Sequence, residues 1–335
     1  QLGNKMSVDK LRNKFFNQME IELEKFVDKQ TGLLKKETSE HVHCSLCNED
    51  DYSNLFIKSG FTYVRCKSCG FVYVNPRLSD NAILEGYSDS DDAESNRIWK
   101  DVLLSKDQTV FNNDAFSFLL EKLENINPNK GKLLDVGCSI GHFMSIASDY
   151  GYDVEGIELE PEARSVAIKK GFKVSDNLLE KSNIESDFFD VVSLMGLIEH
   201  IPNPIEFMKE VRRILKHDGF VIFNGVPNIN SLNNILLGSE ARVFNGRNHL
   251  GYYTKKTFEF LLEETGFKVR YFGTYVPAVD SIVNKMQSLD PFEDVSYEYL
   301  DDIMVDLFEN NRGVIEDLII KYNLGYKIRA IVSKA

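Results

Sequence analysis

A doubly wound, mostly parallel α/β sheet, preceded by a small four-cysteine ribbon, is the fold class that this 335-residue sequence predicts. Three observations carry it. Leu133-Leu134-Asp135-Val136 is a short apolar run of the kind a central parallel strand needs when both its faces are buried. Gly137 and Gly141 then turn the chain sharply into a helix, with Phe143, Ile146, Ala147 and Tyr150 on one side and Gly151 as its stop. Upstream, Cys44-x-x-Cys47 is followed after 18 residues by Cys66-x-x-Cys69, the spacing of a four-thiolate metal site.

Taken in order, residues 1–38 read as one N-terminal helix. Leu11, Phe15, Met19, Leu23 (or its neighbour Ile21), Phe26 and Leu33 give it an apolar stripe amid Lys and Glu. Such a stripe must be covered, either by this chain or by a second copy, which leaves a homodimer open. Residues 39–75 are the ribbon. Each C-x-x-C pair can present two sulfurs to one tetrahedral ion, and Phe61–Val64 and Phe71–Val74 read as strands flanking the second pair. Cys44, Cys47, Cys66 and Cys69 would close the coordination shell, so the ion is expected to be zinc in a structural role. Iron suits the same ligands, and a pair of disulfides is the alternative in an oxidising compartment. His41 and His43 are bystanders on this reading. Residues 76–130 form a helical linker, with Tyr87, an acidic loop from Asp89 to Glu94, and a helix marked by Phe116, Leu119, Leu120 and Leu123.

The large domain spans 131–335. After the glycine turn, Tyr152 to Glu158 is a second strand ending on an acid, and Glu158 lies 17 residues beyond Gly141, where a doubly wound fold places the carboxylate that binds ribose hydroxyls. Pro161 opens a helix that Gly171 ends. Phe188 to Met195 is a third strand, Ile205 to Lys216 an amphipathic helix stopped by Asp218-Gly219, and Phe220–Phe223 a further strand. Thr254 is set to cap a helix from Lys255 to Thr265, followed by strands over Lys268–Tyr275 and Tyr326–Lys334. Residues 277–325 between them read as a helical insertion near the carboxyl ends of the strands, placed to cover a substrate.

The glycine turn disfavours one cofactor class, the nicotinamide dinucleotides. The dinucleotide fingerprint G-x-G-x-x-G would need glycines where Ser139 and His142 stand. The run Asp135-Val136-Gly137-Cys138-Ser139-Ile140-Gly141 instead resembles motif I of the class I S-adenosylmethionine-dependent methyltransferases, with Ser139 in place of the commoner glycine. Phe189-Asp190-Val191-Val192 with Glu199-His200 is similar to that family's fourth motif, and Leu215-Lys216-His217-Asp218-Gly219-Phe220 and the stretch from His249 through Tyr253-Thr254 to Gly266-Phe267 also resemble it. The resemblance implies a Rossmann-like fold with a seven-stranded sheet. It implies a cofactor site at Asp135, Gly137, Cys138 (through its backbone), Gly141, His142, Glu158, Leu159, Asn177 and Met195. Together with the ribbon, it points to zinc-containing bacterial methyltransferases of sugar and natural-product pathways. There, a tyrosine after the ribbon and the Glu-His pair lie at the active site, matched here by Tyr87, Glu199 and His200. The sugar C-methyltransferases tend to carry a further tyrosine where this chain has Leu197, which keeps O-methylation open.

The chemistry implied is in-line displacement on an electrophilic methyl, for which the protein supplies alignment and a base. His200 and His249 are the candidate bases, with Glu199 as a second base or orienting partner; each has a structural alternative as a capping or loop-organising residue. The acceptor expected is a small, carbohydrate-linked molecule. A net charge of −13 and the lack of a basic aromatic tract argue against nucleic acid, so an RNA methyltransferase and a non-catalytic binding scaffold are the lesser readings. No apolar run approaches a membrane span and the first 40 residues carry no secretory pattern, so a cytoplasmic protein is expected.

Overall fold

The computed structural model describes residues 2–85, 94–279, 306–308 and 310–335. Helix α1 (Leu2–Leu23) stops well short of the expected limit at residue 38, and a tight turn, Glu24–Phe26, follows it. The chain then reverses. The Asp28 carboxylate accepts from the amides of Gln30 (2.8 Å) and Thr31 (2.9 Å), and Gly32 sits at φ +69°. A short polar side chain that bonds its own backbone competes with the helical ladder, and glycine takes the left-handed position without steric cost. The stripe holds as far as Phe26: Phe15, Met19, Leu23 and Phe26 are buried, while Ile21 is 61% exposed and Leu34, not Leu33, points inward. It packs within the chain, Phe15 lying 4.9 Å from Trp99 between ring centroids.

The cysteine region comprises β1 (Ser39–Glu40), β2 (Tyr52–Lys58), β3 (Phe61–Cys66), β4 (Val72–Val74) and β5 (Arg77–Leu78), with β1 paired to β5 and β2–β3–β4 antiparallel. Three helices follow: α2 (Asp80–Glu85), α3 (Glu94–Leu104) and α4 (Lys106–Ile126). Tyr87 and the acidic loop from Asp89 lie in 86–93, outside the described residues.

The main sheet begins with β6 (Lys132–Val136), then α5 (His142–Asp149), β7 (Asp153–Ile157), α6 (Pro161–Lys169), β8 (Lys173–Ser175) and β9 (Phe189–Met195). Next come α7 (Pro204–Ile214), β10 (Leu215–Pro227), α8 (Leu232–Leu237), β11 (Gly251–Tyr252), α9 (Lys255–Glu264), β12 (Phe267–Tyr275), α10 (Arg312–Lys321) and β13 (Lys327–Lys334). The order is β12-β13-β10-β9-β6-β7-β8, and only β13 runs against its neighbours. The expected helix to Lys216 ends at Ile214, because Leu215 already pairs with Phe189 in the sheet. Successive strand residues serve opposite faces. Leu133, Val191 and Ile222 meet α4 and α5, while Leu134, Val192 and Val221 meet α7 and α9. Thr254 caps α9 as expected, in a reciprocal arrangement with Thr257. Of the insertion expected over 277–325, residues 280–305 and 309 lie outside the described residues; α10 packs Ile319 against Val279.

The ribbon sheet draws a strand from far away in sequence. β11 pairs with β4, giving the order β11-β4-β3-β2. The loop before β11 is gripped from the other side by α1 and α3: buried Glu22 accepts from the Ser95 amide (2.8 Å) and Ser95 hydroxyl (2.7 Å), and pairs with buried Arg247. Glu22→Ala would strand the guanidinium, and about 3–5 kcal/mol of stability is the expected loss, read by denaturant unfolding. No helix among the described residues is long and apolar enough to cross a membrane.

Candidate active site

The strand order reverses between β6 and β9, and the glycine turn leaves β6 at that point, where open α/β sheets leave a crevice for ligands. Gly137 (φ +73°), Ser139 (φ +49°) and Gly141 (φ +69°) are all left-handed, and a Cβ on Gly141 would stand 3.0 Å from that of Ala167 in α6. Ser139 is thus tolerated in the turn without being glycine. Asp135 is buried and accepts a 2.6 Å hydrogen bond from the Ser193 hydroxyl; burial pushes its carboxyl up to about 7. Glu158 accepts from the amides of Ser139 (2.8 Å) and Glu160 (2.8 Å), which aims it beneath the turn and leaves lone pairs for a diol. Arg164 donates to the carbonyls of Glu158 and Leu159, fixing that corner.

Other expected cofactor residues are placed less directly. The Cys138 thiol is buried beneath Gly156, and burial drives its pKa up, in keeping with a backbone role alone. The His142 ring is taken up by α4, 2.7 Å from Asn113 Oδ1 and 3.4 Å from Asn112 Nδ2. Asn177 is exposed, its amides bonded to Ser175, and Met195 is half-buried at the end of β9. Ser193 was recoverable from sequence as a hydroxyl inside an apolar strand.

Next to this crevice, Glu199, His200 and His249 converge. Their ligand-capable atoms all lie within 4.8 Å of one another, and the two imidazoles are 5.0 Å apart between centroids. Glu199 and His200 sit on the single turn after β9; His249 arrives on the loop before β11, secured by the Leu250 amide donating to the Glu199 carbonyl (2.8 Å). Glu199 is 1% exposed, and its Oε2 and the His200 Nδ1 are buried without a hydrogen-bond partner among the described residues. His249 Nδ1 lies 2.9 Å from the Val243 carbonyl; since a carbonyl only accepts, Nδ1 carries the hydrogen and Nε2 the lone pair. Burial holds both imidazoles neutral, His200 down to about 4 and His249 well below the usual range, and it pushes the Glu199 carboxyl up to about 7 against the opposing charge of Lys327. Glu199 is buried and the two imidazoles are half-buried, so acceptor atoms that face one another here can share a proton or a cation. Leu197 does not reach this cluster as a polar group; it fills the space above Gly137, 3.1 Å from where a Cβ would stand.

The four thiols also converge. Cys44 Sγ is 3.5 Å from Cys69 Sγ, Cys47 Sγ is 3.4 Å from Cys66 Sγ, and all four lie within 4.8 Å. Sulfurs at about 2.3 Å from a tetrahedral zinc stand about 3.8 Å apart, so the set fits that ion. All five cysteines are free. His41 and His43 turn instead to Asp50, at 2.7 and 3.9 Å.

Residues 107–271 match the family described as "Methyltransferase domain". The chain carries a methyltransferase domain. Among curated proteins it is similar to the ubiquinone biosynthesis O-methyltransferase of Aliivibrio fischeri strain MJ11, 32% identical over 127 residues, or 35% of this chain and 54% of that one. The enzyme of the same name from Actinobacillus pleuropneumoniae serotype 7 is 27% identical over 106 residues, covering 28% and 45%. The chain spans about half the length of the curated relatives it matches. Two similar solved structures are a methyltransferase from Thermotoga maritima described as a possible histamine N-methyltransferase (16% identity, 68% and 91% covered, TM-score 0.45) and the plantazolicin methyltransferase BpumL bound to SAH (18%, 76% and 94%, 0.48). Within the methyltransferase domain lie the glycine turn, Glu158, Glu199, His200 and His249. The ribbon lies before it, and β13, with Lys327 and Arg329, after it.

Proposed function

We propose that this chain is an S-adenosylmethionine-dependent methyltransferase that methylates a hydroxyl of a small molecule, a saccharide, sugar nucleotide or related biosynthetic intermediate. The observation that carries the reading is the convergent Glu199–His200–His249 group, its carboxylate buried and its imidazoles half-buried, beside the crevice at the strand reversal. The bound cofactor supplies an electrophilic methyl. On the protein side, Asp135 and the turn at Gly137–Gly141 hold its amino-acid end, and Glu158 accepts from its ribose hydroxyls, with Leu159, Asn177, Met195 and the His142 region completing the enclosure. Glu199, relayed by a neutral histidine, takes the proton from the acceptor hydroxyl as the oxygen attacks. Leu197, apolar where a tyrosine would serve C-methylation, favours oxygen as the nucleophile, as do the relatives named O-methyltransferases. The four thiolates hold a structural zinc away from the chemistry. The division into helix, ribbon, linker and catalytic domain is part of this proposal, with the ribbon sheet closed by β11.

Calorimetry with S-adenosylhomocysteine tests the cofactor half. One site is expected per chain, and Glu158→Ala should weaken it by about 10–100-fold, the worth of one or two hydrogen bonds to a charged group. A folded chain that binds no S-adenosylhomocysteine would overturn the reading. An acceptor panel of nucleotide sugars, glycan intermediates and hydroxylated aromatic acids, scored for methyl incorporation, tests the other half.

A further inference from the structure

Two cations stand on one face of β13 at the active-site end of the sheet, in a chain whose net charge is −13. Arg329 is paired in register with Asn224 on β10 and Gly273 on β12; Lys327 is paired with Pro227 and Tyr275. Asn224 leads straight into the site, because its carbonyl accepts from the Gly196 amide at 2.7 Å and a Cβ on Gly196 would lie 3.8 Å from Glu199 Oε1.

The Arg329 guanidinium is held by rings. Its carbon lies 3.6 Å from the Phe118 centroid and 5.2 Å from that of Tyr275, which stacks in turn on Phe111 at 6.2 Å. No carboxylate among the described residues pairs with it, and its Nε is buried without a hydrogen-bond partner. The neighbouring Asn224 Oδ1 is likewise buried and unbonded. Lys327 also makes no ion pair within 4.0 Å among the described residues, although its charge is felt by Glu199, His200 and His249. Arg329 is half-buried with its Nε out of water, and this chain has 52 acidic residues from which a carboxylate partner could have come. A planar guanidinium fixed by aromatic faces keeps its donors pointed outward and matches a carboxylate or phosphate.

We propose that Arg329 and Lys327 form an anion subsite that holds a carboxylate or phosphate group of the acceptor, with the hydroxyl to be methylated directed at Glu199. This rests on the methyltransferase reading for its meaning, but not for its test. It deepens that reading by requiring an anionic acceptor; neutral sugars and neutral phenols are poor substrates.

The test is calorimetry of the metal-loaded full-length protein at low ionic strength, titrated separately with inorganic pyrophosphate and with benzoate. Saturable binding of at least one probe is expected, and the tighter of the two tells a phosphorylated acceptor from a carboxylated one. Arg329→Gln should weaken it at least tenfold and Lys327→Gln should weaken it measurably, whereas Lys209→Gln, an exposed charge change on α7, should leave it unchanged. Absence of saturable binding by both probes in the folded wild type would overturn the subsite, as would equal binding by wild type and Arg329→Gln. If Arg329→Gln does not fold, Lys327→Gln against Lys209→Gln decides. A parallel S-adenosylhomocysteine titration separates the two proposals: cofactor binding without anion binding removes only the subsite, and the reverse removes the methyltransferase reading.

Discussion

Glu199→Gln is expected to lower turnover by about 10²–10⁴-fold, the range for a lost general base, while leaving S-adenosylhomocysteine affinity near that of the wild type. The carboxyl lies beside the two histidines and not under the glycine turn, so the loss should fall on kcat. The pH profile gives a second reading. Burial raises this carboxyl to about 7, so below neutrality it carries its proton and cannot take another. In the wild type, kcat/KM should rise with pH through about 7, and Glu199→Gln should lose that limb; unchanged turnover and an unchanged limb would remove Glu199 from the reaction. Stability carries the opposite sign. The folded-state value lies above the ordinary 4.5, so the stability this group contributes is fully present below about 4.5 and is lost as pH rises through about 7. Urea titrations should therefore find the two proteins closest in stability at pH 5 and the wild type less stable relative to Glu199→Gln at pH 8.

Cys66→Ser is expected to release a bound metal, cost several kcal/mol of stability and reduce turnover by about 10²-fold, with a smaller effect on cofactor binding. The path from ribbon to active site is short. The Leu250 carbonyl accepts from the Val74 amide of β4 at 3.1 Å, and the Leu250 amide donates to Glu199 at 2.8 Å. His249 precedes Leu250, and β11 follows it as the ribbon's outer strand. If the thiolate site collapses, β4 loses its anchor and His249 its position, yet the glycine turn and Glu158 are held by β6, β7 and α6. Elemental analysis of metal per chain, thermal unfolding and the ratio of kcat to S-adenosylhomocysteine affinity check the three parts. Wild-type turnover by a metal-free variant would show that the ribbon is not coupled to the reaction.

Local chemistry made much of this protein readable in advance. The strand–glycine–helix unit at 133–149, the acid ending β7, the paired C-x-x-C knuckles and the Thr254 cap each depend on residues close together in the chain, where backbone conformation and side-chain type decide the outcome. The N-terminal helix was overextended for the same kind of reason. Its apolar spacing continues past Leu23, but Asp28 and Gly32 stop it through turn chemistry that periodicity does not count. The Glu-His pair was visible as adjacent residues and His249 as a second candidate base; the distances among the three, and the effect of burial on their charge, were not.

The sequence by itself determined most of the strands and helices and the two cysteine knuckles, because those choices are made within a few residues. Only the tertiary structure decided what those segments share. It put β11 on the ribbon sheet, laid Arg247 against Glu22, brought Glu199, His200 and His249 together and left Arg329 against two rings with no carboxylate partner among the described residues. Contacts between residues 50 to 225 positions apart are set by how buried faces pack. Desolvation, which raises the Glu199 carboxyl and lowers the His200 and His249 imidazoles, exists only once that packing has excluded water.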